Sequence, residues 1–76
     1  MISYSLSETS EFNLIIYNTL GQTIRTLVQK SKQTAGMYTT QWNGRDNAGA
    51  QVASGIYIYR MQADDFVKSR KLILMR

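Results

Sequence analysis

The sequence contains no cysteine and no histidine. Without cysteine there is no disulfide, and with neither residue type no Cys/His set can hold a structural zinc. The same two absences remove the commonest general base near neutral pH and the strongest side-chain nucleophile. Five carboxylates remain: Glu8, Glu11, Asp46, Asp64 and Asp65. Asp64 and Asp65 are sequence neighbours at an expected hairpin tip, where strand register makes them diverge rather than converge on a substrate, and nothing marks a glycosidase-like pair. No catalytic residue and no cofactor is expected, and the chain reads as a non-enzyme. No apolar run has the length of a membrane-spanning helix, and the first residues lack the basic-then-apolar pattern of a signal peptide. There is no internal repeat and no low-complexity tract.

What is present is a single small domain, residues 1–76. A chain of this length buries only about 60–65% of the surface its unfolded form exposes, so its core must come from Ile, Leu, Val, Phe, Tyr, Trp and Met alone. Residues 2–6 alternate apolar and polar, the mark of a half-buried strand that has already begun at Ile2, and the chain is expected to be a fragment of a larger protein. In residues 12–17, Phe12, Leu14 and Ile16 make one apolar face, while Asn13, Ile15 and Tyr17 make a second, rather apolar one. That pattern predicts a central strand. Gly21 suits the left-handed site of a four-residue hairpin turn closing in a bulge.

Residues 23–28 predict a third strand. Ile24 and Leu27 are three apart, so a bulge, or an end near Leu27, is needed to bury both; the β-branched Thr23, Ile24, Thr26 and Val28 argue against a short helix. Residues 29–34 read as a polar loop closed by Ala35 and Gly36, and residues 37–42 as a fourth strand with Tyr38, Thr40 and Trp42 on one face. A polar loop follows, punctuated by Gly44 and Gly49. Asn43, Asp46 and Asn47 offer oxygens there, but their spacing fails the calcium-loop pattern, and bonds from these side chains to the backbone are the expected use. Residues 56–63 form a fifth strand, with Tyr57, Tyr59 and Met61 assigned to the core because Arg60, on the other face, should not be buried unpaired. Asp64 and Asp65 turn the chain into a sixth strand, residues 66–75, with Phe66, Leu72 and Leu74 inward and the stems of Lys68 and Arg70 nearer an edge.

Six short strands, with room for a seventh, and no convincing helix predict an all-β, antiparallel, immunoglobulin-like sandwich, with a small barrel as the alternative. The net charge is +4, and Lys68, Arg70, Lys71 and Arg76 all lie in the last nine positions. With no nucleic-acid motif beside them, these charges read as protection of a solvated edge strand rather than a nucleic-acid footprint.

Several stretches, in order, cover almost the whole chain: residues 2–8 (Ile-Ser-Tyr-Ser-Leu-Ser-Glu), 14–28, Ala35–Tyr38, the Trp-Asn-Gly-Arg-Asp-Asn-Ala-Gly of residues 42–49, 52–61, and the closing Arg-Lys-Leu-Ile-Leu-Met-Arg. Together they resemble the type A C-terminal sorting domain of proteins exported by the type IX secretion system of Bacteroidota. Those domains in turn resemble the immunoglobulin-like domain of the flagellar hook-capping protein. The chain departs from the pattern at Ser7, where family members commonly have Pro, at Asp64, where they often have Gly, and at Asn43, where Asp is common. The resemblance implies a cargo address. Its partners would be the type IX translocon, a sortase-like processing protease and a covalently preceding cargo domain, with the membrane met only through that machinery, and its location secreted or at the cell surface. Gly55 and Tyr57 would shape the recognised sheet, and Lys71, Leu72, Leu74 and Arg76 the terminal strand that is read. Leu14, Ile16, Gly21, Gly36, Trp42, Gly44, Gly49 and Tyr59 would serve core and turns. A structural assembly module and a carbohydrate-binding sandwich are the rival readings; in the latter Trp42, Tyr57 and Tyr59 would be the stacking platform, although alternation points them inward.

Overall fold

The computed structural model describes residues 2–64 and 66–75. Its framework follows from the second strand, β2 (Ser10–Asn18), in which Phe12, Leu14 and Ile16 are fully buried and the intervening Asn13, Ile15 and Tyr17 are half-buried. A strand apolar on both faces belongs inside a sheet, and β2 has a neighbour on either side. It pairs antiparallel with β3 (Thr23–Gln33) and with β5 (Gly55–Ala63), and β5 pairs with β6 (Phe66–Leu74). The resulting four-stranded sheet has the order β3-β2-β5-β6. A second sheet of two strands joins β1 (Ile2–Leu6) to β4 (Gly36–Thr40), antiparallel, with Tyr4 opposite Tyr38. Two sheets rather than a closed barrel make this an immunoglobulin-like sandwich.

The sheets meet through aromatic rings. Tyr4 of β1 stacks on Phe12 of β2 at 4.1 Å between centroids and on Tyr38 at 5.3 Å, and its hydroxyl donates to Gln33 Oε1 at 2.8 Å. Ile2, Leu6, Tyr57, Met61 and Ala63 complete the buried core. Tyr57 and Met61 are buried as the alternation of β5 predicts, while Arg60 is exposed.

The expected hairpin between β2 and β3 is present, with Gly21 at φ +84° and its N–H donated to the carbonyl of Asn18 at 3.0 Å. The expected bulge is present three times over: the register shifts between Phe12 and Leu14, Leu14 and Ile15, and Ile16 and Tyr17. Leu27 and Ile24 are each the extra residue at a shift, which brings both against the core despite their odd spacing.

Four strand boundaries need correction. Residues 29–33 are not a loop: β3 runs on to Gln33, pairing Ser31, Lys32 and Gln33 with Phe12, Glu11 and Ser10. Lys30 makes this possible by taking a positive φ of 47°, with its N–H donated to Asn13 Oδ1 at 2.9 Å. Trp42 is not in β4, which stops at Thr40, opposite Ile2. The last strand ends at Leu74 rather than at Met75. Gly36, expected to close the preceding loop, opens β4 opposite Leu6.

Candidate functional site

Residues 41–54 carry the chain from β4 to β5 and are braced almost entirely by side chains bonded to backbone. Trp42 donates its indole N–H to the carbonyl of Arg45 at 2.9 Å and packs edge-on against Tyr57, with centroids 5.1 Å apart and planes at 72°. Asn43 Oδ1 accepts the N–H of Arg45 at 3.1 Å. Asp46 Oδ1 accepts two N–H groups, from Ala48 at 3.0 Å and Ala50 at 2.9 Å, and the carbonyl of Asp46 accepts the N–H of Gly49 at 3.0 Å. Gly49 sits at φ +87°, where a side chain would be strained. The N–H of Val52 closes the loop on the carbonyl of Gly44 at 3.0 Å. The expected bracing role of Asn43 and Asp46 is what the geometry shows.

A second set of bonds ties the loop to β3. Asn47 donates its N–H to the carbonyl of Ile24 at 3.0 Å and accepts the N–H of Thr26 on Oδ1 at 2.9 Å, and Arg25 Nη1 donates to the carbonyl of Asp46 at 3.0 Å. As β3 is a marginal strand of the four-stranded sheet, Asn47 occupies backbone groups that would otherwise lie open to another strand. Sequence reasoning missed this role because the bonded residues are 21 positions apart.

The loop delivers Gly55 opposite Leu74 and Tyr57 opposite Leu72. Tyr57 is buried and donates its hydroxyl to the carbonyl of Ala53 at 2.7 Å; Tyr59, Leu72 and Leu74 are half-buried against the core. Trp42, Tyr57 and Tyr59 thus pack inward, as alternation indicated, rather than forming an exposed stacking platform. Lys71 lies on the opposite face of β6, exposed, in line with Ile58 and Tyr17. The residues singled out for recognition therefore divide: Tyr57, Leu72 and Leu74 pack inward, Gly55 opens β5, and Lys71 faces out. Arg76, and Asp65 of the expected turn, lie outside the described residues.

The sequence reasoning also passed over the outer face around Lys71. Ile56 and Ile73, directly paired, are 48% and 63% exposed, and Ile58 is half-buried beside them. Alternation signalled this face, since an inward Tyr57 forces Ile56 and Ile58 outward.

Among known families, residues 2–65 match the FlgD Ig-like domain. The chain belongs to that family. The match spans β1 to β5 and stops immediately before β6. No curated protein and no solved structure matches the chain. Membership of the FlgD Ig-like family bears out the immunoglobulin-like part of the resemblance read from the sequence. It also accords with two sheets whose strands are all antiparallel. No helix among the described residues is long and apolar enough to cross a membrane.

Proposed function

We propose that this FlgD-type Ig-like domain is a recognition module without chemistry of its own, a C-terminal sorting domain whose last strand is read by type IX secretion machinery. The observation that carries the reading is the asymmetry of the four-stranded sheet. Asn47 caps its β3 margin at Ile24 and Thr26, whereas β6, among the described residues, has β5 as its one partner strand and is left with an open edge. An unpaired strand edge offers main-chain donors and acceptors to an incoming protein, and Lys71 and the alternating side chains of β6 would supply selectivity. The partners on this reading are the outer-membrane translocon, a sortase-like protease that removes the domain, and the cargo domain that precedes it. The destination is the cell surface or the medium. The sequence resemblance supports this finer assignment.

The test is a fusion of residues 1–76 to a periplasmic reporter in a type IX-competent host. Export of the reporter is expected, as is its retention in the periplasm once residues 71–76 are removed. Retention of the intact fusion, or equal export of the truncated one, would overturn the assignment.

A second reading, a structural assembly module, is favoured by the family match itself, which covers β1 to β5 and leaves out β6. It expects the domain to lie inside its full-length protein, so the position of the stop codon relative to Arg76 separates the two.

A further inference from the structure

The two-stranded sheet does not cover the whole of the four-stranded one. Tyr4 and Tyr38 place β1 and β4 against β2 and β3, through the ring stack on Phe12 and the bond to Gln33. The core-side face of β6 lies beyond them. Cross-strand partners share a face, so Lys68, opposite buried Met61, and Arg70, opposite Tyr59, stand on the core side of the sheet, yet both are exposed. Two hollows follow this strip. The first, about 660 Å³, is bounded by residues 3–7 on one side and by Phe66, Lys68 and Arg70 on the other. The second, about 470 Å³, lies between Ile2 and Trp42 on one side and residues 71–75 on the other, with Lys71 at its border. Tyr59 lines both. β1 borders them along its length and, among the described residues, has β4 as its one partner strand, so that its other edge is unpaired there.

A free strand edge beside an uncovered, strand-length strip of sheet has the shape of a seat for one more strand. The charges decide what kind. Covering Lys68 and Arg70 with an apolar strand would bury two unpaired cations, at a cost of several kcal/mol each. Among the described carboxylates none lines either hollow. We propose that the seam between β1 and β6 binds an extended acidic segment of a partner protein, which adds to β1 as the third strand of the small sheet. Its carboxylates sit over Lys68 and Arg70 and its apolar side chains over Leu72 and Leu74. Lys68 and Arg70 are two residues apart, about 7 Å along the strand, so the ligand carries acids at alternate positions. The seam is on the inner side of β6, and the proposal does not depend on whether the outer edge of β6 is read by a secretion system.

The probe is a fluorescein-labelled peptide, Glu-Thr-Glu-Thr-Leu-Thr-Leu-Thr, together with its reversed sequence, because either strand direction fits. Anisotropy titration of the 76-residue chain is expected to show saturable, salt-sensitive binding of at least one of them. Lys68→Glu/Arg70→Glu should weaken it by about tenfold or more, while Lys32→Glu/Arg60→Glu, equal in net charge and exposed elsewhere, changes it by less than about twofold. N-methylation of alternate peptide amides should abolish binding, as it removes the bonds to β1. The milder Lys68→Gln/Arg70→Gln pair, which keeps both side chains long and polar, should also weaken binding. The proposal is overturned if neither peptide binds at millimolar concentration. It is equally overturned if the two charge-reversed proteins weaken alike, or if the N-methylated peptides bind as well as their parents.

Discussion

The side-chain oxygen of Asn13 receives the backbone N–H of Lys30 at 2.9 Å, and Lys30 is, among the described residues, the one non-glycine with a positive φ. The bond holds a conformation that costs an ordinary residue about 1–2 kcal/mol, and it allows β3 to continue past the bulge to Gln33. Asn13→Ala should lower stability by about 1 kcal/mol in urea titration. Lys30→Gly removes the left-handed penalty but adds about 0.5–1 kcal/mol of unfolded-state entropy, for a net gain of about 0.5 kcal/mol. A loss of stability in Lys30→Gly would contradict the account.

Asp46 organises the loop before β5 by accepting two backbone N–H groups on one oxygen. Asp46→Ala should cost about 1–2 kcal/mol, and Asp46→Asn less, since its amide oxygen can take the same place. Trp42, the single tryptophan, bonds to Arg45 next to Asp46, so its emission reports the loop directly. A red-shifted spectrum in native buffer is expected for Asp46→Ala and not for Asp46→Asn.

Asn47 guards the β3 margin with its side chain. Asn47→Ala leaves the N–H of Thr26 without its partner. The expected outcome is a modest loss of stability, about 1 kcal/mol, together with concentration-dependent self-association seen by light scattering. A variant that remains monomeric across the same concentrations as the parent would show that the bulges of β3 suffice as protection.

Burial pushes the Tyr4 phenol above its ordinary value of 10.0, and the neighbouring Tyr38 phenol adds to the rise. The fold therefore favours the protonated phenol. The sign follows: this share of stability is intact below the unfolded tyrosine value near 10 and is lost as pH climbs through the higher folded value. Comparing urea midpoints at about pH 9 and about pH 11, the parent should lose more than Tyr4→Phe does. Near neutral pH, Tyr4→Phe should itself be destabilised by about 0.5–1.5 kcal/mol through the lost bond to Gln33.

The strands legible in the sequence are those with one face committed to the core. β1, β2, β5 and β6 came within two residues of their bounds because core residues recur at period two along each of them: Ile2 and Leu6, Phe12 to Ile16, Tyr57 to Met61, and Leu72 and Leu74. β3 was half-legible. Its bulges break the period at Ile24 and Leu27, and its last stretch carries Gln29, Lys30 and Lys32 exposed, which reads as loop until their partners on β2 are known. Trp42 falls two residues beyond β4, where its indole bonds to the carbonyl of Arg45 in the loop, a partner that alternation does not reveal. Gly55, Tyr57, Leu72 and Leu74 were grouped by the family resemblance, and the register of the β5–β6 hairpin brings them together. That Lys68 and Arg70 would stand uncovered on the core side was not visible, because alternation reports a face but not how much of it the other sheet reaches.

Asn47 has a consequence for how copies of this domain can associate. A sheet with two open margins adds neighbours on both sides and grows without limit. Here Asn47 blocks one margin of the four-stranded sheet at Ile24 and Thr26, while among the described residues the β6 margin is free. A contact between two such four-stranded sheets, β6 against β6, therefore consumes the free margin of each, so that pairing of this kind ends at a closed pair.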